Sequence, residues 1–164
     1  MPRSKEKPHK QLPYPPASHI RAQFTLLKMK SENNYEYELM EAARTGDVQR
    51  LKNVLITPGV ILRDRNSLGR CPLVEAAKIG CLEAVKMLVE AGFNLNVMDC
   101  NGKTALMGAA LHGYYEVVKY LLENGADPTI LNKQGHGAYT IAVYGKHMDV
   151  AQLIQSYIQK IRQK

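Results

Sequence analysis

Several features that mark whole classes of protein are missing from this sequence of 164 residues. Although 45% of the residues are hydrophobic, no apolar run reaches the roughly 18 residues needed to span a membrane. Residues 1–8 lack the apolar stretch of a secretory signal. The three cysteines are too few, and odd in number, for a disulfide framework. These absences predict a soluble protein of a reducing compartment, the cytoplasm or the nucleus.

Short motifs that carry catalysis or bind cofactors are also absent. The sequence contains no glycine-rich nucleotide-binding loop, no His-Glu-x-x-His and no Cys-x-x-Cys. Its five histidines do not cluster with the cysteines at the spacing of metal ligands. We therefore expect no catalytic residue, no metal, no cofactor and no small-molecule substrate, and the chain is not predicted to be an enzyme.

What the chain does have is internal repetition with a period of 33 residues. The segment 69–92 carries two glycine stops, an alanine pair and an apolar run, and 102–125 repeats them position by position. A less similar copy follows at 135–158. An earlier copy at 39–46 lies 34 residues before its counterpart in the segment 69–92. The predicted repeats are about 35–65, 66–98, 99–131 and 132–158, with a basic tail at 159–164.

Each copy predicts two helices and an extended finger. Pro72 suits the first turn of a helix, and Gly80 stands where that helix must stop, in a left-handed conformation. The second helix has an apolar face at the i, i+3 and i+4 positions Val85, Leu88 and Val89. Asn, Asp and Gly then predict turns in the finger. One unit cannot bury its own apolar face, so the units are expected to stack into an all-α repeat solenoid.

This pattern resembles the ankyrin repeat, a 33-residue unit with the signature Thr-Pro-Leu-His-x-Ala. Here the signature reads Cys-Pro-Leu-Val-Glu-Ala at 71–76 and Thr-Ala-Leu-Met-Gly-Ala at 104–109. The resemblance covers 35–158 and implies helix-turn-helix units with β-turn or hairpin fingers. The missing signature histidine removes hydrogen bonds between repeats and predicts reduced stability. In the fourth unit Lys146 replaces the expected glycine, and His147 is interpreted as a hydrogen-bonding turn residue.

Similarity to this family implies binding at a concave face formed by the finger tips and the ends of the first helices. The expected function is protein-protein interaction, as an adaptor or scaffold. Apolar and aromatic anchors ringed by Arg and Lys are typical of interface centres, and the basic ring predicts an acidic or mixed partner. The protein is expected to be a monomer. Packing against neighbouring repeats stays open for Ile79, Leu111 and Met107. The candidate partner-binding residues are Leu68, Arg70, Lys78, Ile79, Asn101, Lys103, Met107, Leu111, His112, Lys133, His136 and Tyr144.

Asn96 is a candidate modification site. Leu88 lies eight residues before it and Leu95 immediately before it, which resembles the target of an asparaginyl oxygenase on ankyrin repeats. Asn94 stands where an acid is common in that pattern. The resemblance implies hydroxylation of Asn96.

Residues 1–34 are interpreted as a basic arm that contains five prolines. Residues 1–30 have a net charge of +6, whereas 31–164 have a net charge of +1. Ile20, Phe24 and Leu27 fall at i, i+4 and i+7 and indicate a helix over 18–30. That stretch could pack beside the first repeat, act as a basic segment for a membrane, calmodulin-like or import receptor, or be a solvated spacer. An alternative function follows, in which the arm binds nucleic acid or anionic membrane and the repeats are its carrier.

Overall fold

The computed structural model describes residues 34–58 and 62–163. The predicted arm, with its helix over 18–30, lies outside these residues except for Asn34. All described residues fall within one structural unit. None of the helices in this part of the chain is both long and apolar enough to cross a membrane.

The described residues form eight helices, two for each of four repeats. The first pair is α1, residues 34–45, and α2, Val48–Leu55; the others are α3, Pro72–Ile79, α4, Leu82–Glu90, α5, Ala105–His112, α6, Tyr115–Glu123, α7, Ala138–Tyr144, and α8, Met148–Arg162. Helix α3 packs on α5 and α5 on α7, while α4 contacts α6 and α6 contacts α8. First helices therefore stack on first helices and second helices on second helices. The all-α repeat solenoid is confirmed.

Helices α3 and α5 start and stop where the repeat predicts. Pro72 occupies the first turn of α3, and Gly80 ends that helix with a φ of 75°. Thr104 caps α5, because its hydroxyl oxygen accepts a hydrogen bond from the Met107 N–H at 3.3 Å. Cys71, at the same position before α3, makes no such bond. The loss of the signature threonine therefore leaves α3 without a side-chain cap, a device that typically contributes about 1 kcal/mol.

A ring from the next repeat covers two of the glycine turns. A Cβ added to Gly80 would lie 2.6 Å from the Tyr114 ring, and one added to Gly113 would lie 2.3 Å from the His147 ring. Tyr114 and His147 are 33 residues apart, so the same contact repeats along the solenoid. His147 hydrogen bonds in its turn through its backbone, since its N–H donates to Ala142 O at 3.0 Å and its carbonyl oxygen accepts from the Ala151 N–H at 2.9 Å. Its ring packs on Gly113 and makes no capping bond to α8.

We name the four equivalent turn positions the turn column: Gly46, Gly80, Gly113 and Lys146. Lys146 has a φ of 63° and is the sole non-glycine with a positive φ among the described residues. A side chain in this left-handed region costs roughly 1–2 kcal/mol. The fourth repeat thus keeps the turn although the glycine that favours it is gone.

Helix α8 is longer than the second helices of the internal repeats. It has 15 residues, where α4 and α6 have nine each. The position that holds Gly92 and Gly125 in the earlier repeats is Ile158 here, so nothing stops the helix. The basic tail predicted at 159–164 therefore begins inside α8. Lys160 and Arg162 lie in its last turn, where cations interact favourably with the helix dipole.

Candidate functional site: the concave face

Three fingers in the described part of the chain are tight turns, each held by one side chain. The Oδ1 atom of Asn66 accepts hydrogen bonds from the N–H groups of Leu68, at 3.0 Å, and Arg70, at 2.9 Å. Asp99 and Asn132 make the same pair of bonds in the next two fingers. Among the described residues the fingers contain one β-bridge, between residues 131 and 137, so they are turns more than hairpins. Their tips are therefore held in one conformation by local bonds.

Basic residues line these fingers. Arg70, Lys103 and His136 occupy the same position in three successive fingers, and Lys133 lies at the tip of the last one. We name these four residues the finger row. No described acid forms an ion pair with Arg70, Lys103 or Lys133. The finger row thus offers positive charge that the described repeats do not neutralise.

A second row follows the ends of the first helices. We name it the helix-end row, and its members are Arg44, Lys78, Leu111 and Tyr144. Its cations are paired within their own helices. Arg44 Nη2 lies 2.6 Å from Glu41 Oε1, and Lys78 Nζ lies 3.1 Å from Glu75 Oε1. The hydrogen bond from Arg44 holds the pKa of Glu41 below its usual value. In repeats one and two this row is therefore neutralised by its own acids.

The helix-end row becomes apolar in repeats three and four. The acid three residues earlier is replaced by Gly108 in α5 and by Ile141 in α7. A Cβ at Gly108 would lie 2.9 Å from Lys78 Cγ, so the glycine makes room for the Lys78 stem to cross α5. Leu111 is 38% exposed and Tyr144 is 69% exposed. Two large apolar groups therefore face solvent where the earlier repeats carry ion pairs.

The two rows meet in the fourth repeat. The rings of His136, in the finger, and Tyr144, at the end of α7, pack edge to face with centroids 5.5 Å apart. Such aromatic pairs are favourable beyond their buried area and fix the orientation of both rings. The structure thus joins two of the predicted partner-binding residues into one aromatic group.

Other predicted residues divide between surface and core. Leu68 and Asn101 are exposed on the finger tips, and His112 is exposed at the end of α5. Ile79 is partly exposed, but a Cβ at Gly46 would lie 3.0 Å from its tip, so it also packs on the preceding repeat. Its role is in part structural.

Met107 was predicted to bind a partner, and the structure corrects this prediction. Its side chain is 2% exposed and belongs to the hydrophobic core. The signature position that Met107 occupies lies in the first turn of α5, between packed first helices, and not at the helix end. A partner on the concave face therefore cannot contact it in this structure.

Asn96 connects two repeats. Its Oδ1 accepts a hydrogen bond of 2.8 Å from the N–H of Asp127, 31 residues later. The side chain is half-buried. Its hydroxylation stays a prediction.

Sequence reasoning missed the contacts of the turn column. Tyr114 directly follows the glycine stop at 113, and His147 follows Lys146 at the equivalent position one repeat later; this recurrence of a large ring after the turn was the available signal. The three cysteines form no disulfide bond. Burial raises the pKa of the Cys71 thiol to about 11. Within 34–58 and 62–163 no group of three His, Cys, Asp or Glu side chains could hold a metal ion.

Comparison with known proteins agrees with the architecture. A family model described as ankyrin repeats in three copies matches residues 39–132, more than half of the chain. The match ends at the fourth unit, which lacks the signature proline and has Lys146 where the earlier repeats have glycine. No curated protein matches the chain. Repeats of this kind are generally protein-protein interaction modules. The chain belongs to the ankyrin-repeat family.

Proposed function

We propose that this protein is a non-enzymatic adaptor or scaffold that binds an acidic or mixed protein partner on its concave face. One observation carries the proposal: the helix-end row changes from self-paired ions to the exposed side chains of Leu111 and Tyr144, beside a finger row whose Arg and Lys residues form no ion pair with a described acid. Exposed apolar anchors ringed by positive charge are typical of the centre of an interface. The protein acts as a monomer in the cytoplasm or the nucleus, where its unpaired thiols are stable.

The mechanism is presentation of side chains by a rigid surface. Each finger tip is tied by its own Asn or Asp, and adjacent tips are joined by the bond from Cys100 N–H to Gly69 O, at 2.9 Å. Groups that are already ordered lose little conformational entropy when a partner binds. The interaction needs no cofactor and no covalent step.

The test is affinity capture from cell lysate, followed by titration calorimetry with the purified partner. The variant Leu111→Ala/Tyr144→Ala should lose the partner. The control Leu131→Ala/Tyr139→Ala removes the same two side-chain types from exposed positions outside both rows and should retain it. Equal capture by the two variants would contradict the proposal.

The same experiment tests the alternative function of the basic arm. Replacing Arg3, Lys5, Lys7 and Lys10 by Ala lowers the charge of the arm without touching the described repeats. Under our proposal this variant captures the same partner. Capture that instead depends on these four residues, and disappears as salt is raised, would assign the function to the arm, with nucleic acid or anionic membrane as its ligand.

We also propose hydroxylation of Asn96 by an asparaginyl oxygenase. The support is its fit to the target pattern and its position at the joint between two repeats. Incubation with such an enzyme should add one oxygen to the intact mass of the protein, and the Asn96→Ala variant should gain none. An unchanged mass for the unmodified chain would rule the site out.

A further inference from the structure

We propose that the concave face binds an extended peptide segment with two acidic residues three positions apart, followed along the solenoid by an aromatic or aliphatic residue. The inference rests on the proposed function and names the chemistry of the partner. Acidic side chains would contact Arg70 and Lys103, and the apolar side chain would contact Leu111 and Tyr144.

The spacing comes from the stacking of the repeats. Arg70 and Lys103 hold the same place in consecutive fingers, which the bond between Cys100 N–H and Gly69 O joins directly. Stacked helices lie about 8–10 Å apart, so the two cations repeat at about that distance. A polyproline II segment returns to the same face every third residue, after about 9 Å. Acids at i and i+3 of such a segment therefore match both cations.

The position of the apolar residue comes from the pairing of charges. In repeats one and two, Glu41 and Glu75 pair with the cations of the helix-end row, so this row presents neutralised ion pairs and no exposed apolar anchor. In repeats three and four no acid stands there, and Leu111 and Tyr144 are exposed. The apolar contact is therefore confined to the third and fourth repeats.

The aromatic pair closes the binding face at the fourth repeat. His136 continues the finger row one repeat beyond Lys103, but its ring packs against Tyr144. The third site along the row thus presents an aromatic surface where the first two present cations. A segment that follows the equivalent positions 70, 103 and 136 from repeat two to repeat four meets positive charge twice and then an aromatic surface; Lys133, the fourth member of the finger row, lies at the tip of the last finger.

The experiment selects random peptides, roughly a dozen residues long, from a display library on the full-length protein. The selected peptides are then synthesised, and their Kd is measured by fluorescence anisotropy at low and at high salt. We expect them to share acids at i and i+3 and an apolar residue about three positions further along the same line. Either chain direction satisfies the geometry.

Variants with matched controls locate the binding. Lys103→Glu should weaken binding at least about tenfold, because it sets a like charge against an acid of the peptide. Changing the facing acid of the peptide to Lys should restore affinity. The control Lys119→Glu makes the same change at an exposed site on α6, outside both rows, and should alter Kd little. Tyr144→Ala should weaken binding, and Tyr139→Ala should not.

Three results would overturn the inference. Peptides that lose binding on Tyr144→Ala but show no preference for spaced acids would refute the motif and leave the concave face as the binding surface. A selection that yields no peptide would refute a linear partner, and the capture experiment would still judge the proposed function. A single-stranded oligonucleotide that binds in the same assay, and is lost on Lys103→Glu, would assign the finger row to nucleic acid.

Discussion

Two series of residues run along the solenoid only two positions apart, yet they have different roles. In the turn column, the space over Gly80 and Gly113 is filled by a ring of the next repeat. In the helix-end row, the residue changes from Arg44 to Lys78, Leu111 and Tyr144, although each lies in the last turn of a first helix. The turn column faces a neighbouring repeat at Gly80 and Gly113, and the helix-end row faces solvent at Leu111 and Tyr144. Stability and binding are therefore assigned to separate residues at the end of the same helix.

The largest effect should come from the turn column. Gly113→Ala places a Cβ 2.3 Å from the His147 ring at a φ of 73°. Left-handed strain and overpacking together should lower the free energy of unfolding by about 2–4 kcal/mol. Gly125→Ala is the control, because its φ is 95° but no atom lies within 4 Å of the added Cβ. It should lose only the strain, roughly 1–2 kcal/mol. Equal losses in urea denaturation would show that the ring contact contributes nothing.

Substitutions in the helix-end row should affect partner binding more than stability. Leu111→Ala should weaken partner binding by about 1–2 kcal/mol, since an apolar anchor is removed from the interface. The free energy of unfolding should change by less than about 1 kcal/mol, because the side chain is partly exposed. Leu131→Ala, at another exposed leucine, should leave binding intact. A loss of stability on Leu111→Ala that matched that of Gly113→Ala would end the distinction between the two series.

A gain of stability is expected at Lys146, where the turn column lacks its glycine. Lys146→Gly should raise the free energy of unfolding by about 1 kcal/mol, because glycine adopts a φ of 63° without strain. The same replacement inside a helix, Lys119→Gly, should lower it by about 1 kcal/mol. Thermal unfolding of the two variants compares them directly. A Lys146→Gly variant less stable than the unmodified protein would contradict the strain argument.

The smallest effect concerns the ion pairs of the first repeat. Hydrogen bonds from Arg44 and Arg50 hold the pKa values of Glu41 and Glu38 below the usual 4.5. A carboxyl whose pKa is lower in the folded state stabilises the fold fully above the unfolded value, and this contribution is lost as pH falls through the folded pKa. Glu41→Gln should therefore reduce the loss of stability below pH 4.5, measured by urea denaturation across that range. Glu116→Gln, outside the described ion pairs, is the control.

The sequence predicted the architecture because the repeat constrains local structure. Glycine at 80 and 113 and the apolar spacing of α4 and α6 determine where helices stop and which face they bury. The turn-column contacts were missed because each joins residues 34 apart, such as Gly80 and Tyr114, and no local preference records such a pair. Met107 was misplaced because an apolar residue next to a binding row fits the surface and the core equally well by pattern. The repeat pattern does not constrain which residue types occupy the concave face. The sequence could therefore predict which positions lie on that face but not how their side chains interact.

The most direct test of this account compares two tyrosines on one helix. Tyr144 and Tyr139 both lie on α7 and both are exposed, but only Tyr144 belongs to the helix-end row and contacts His136. The Kd for the captured partner should rise about tenfold or more for Tyr144→Ala and stay unchanged for Tyr139→Ala, with both variants equally folded by circular dichroism. An equal Kd for the two variants would contradict the claim that the concave face binds the partner.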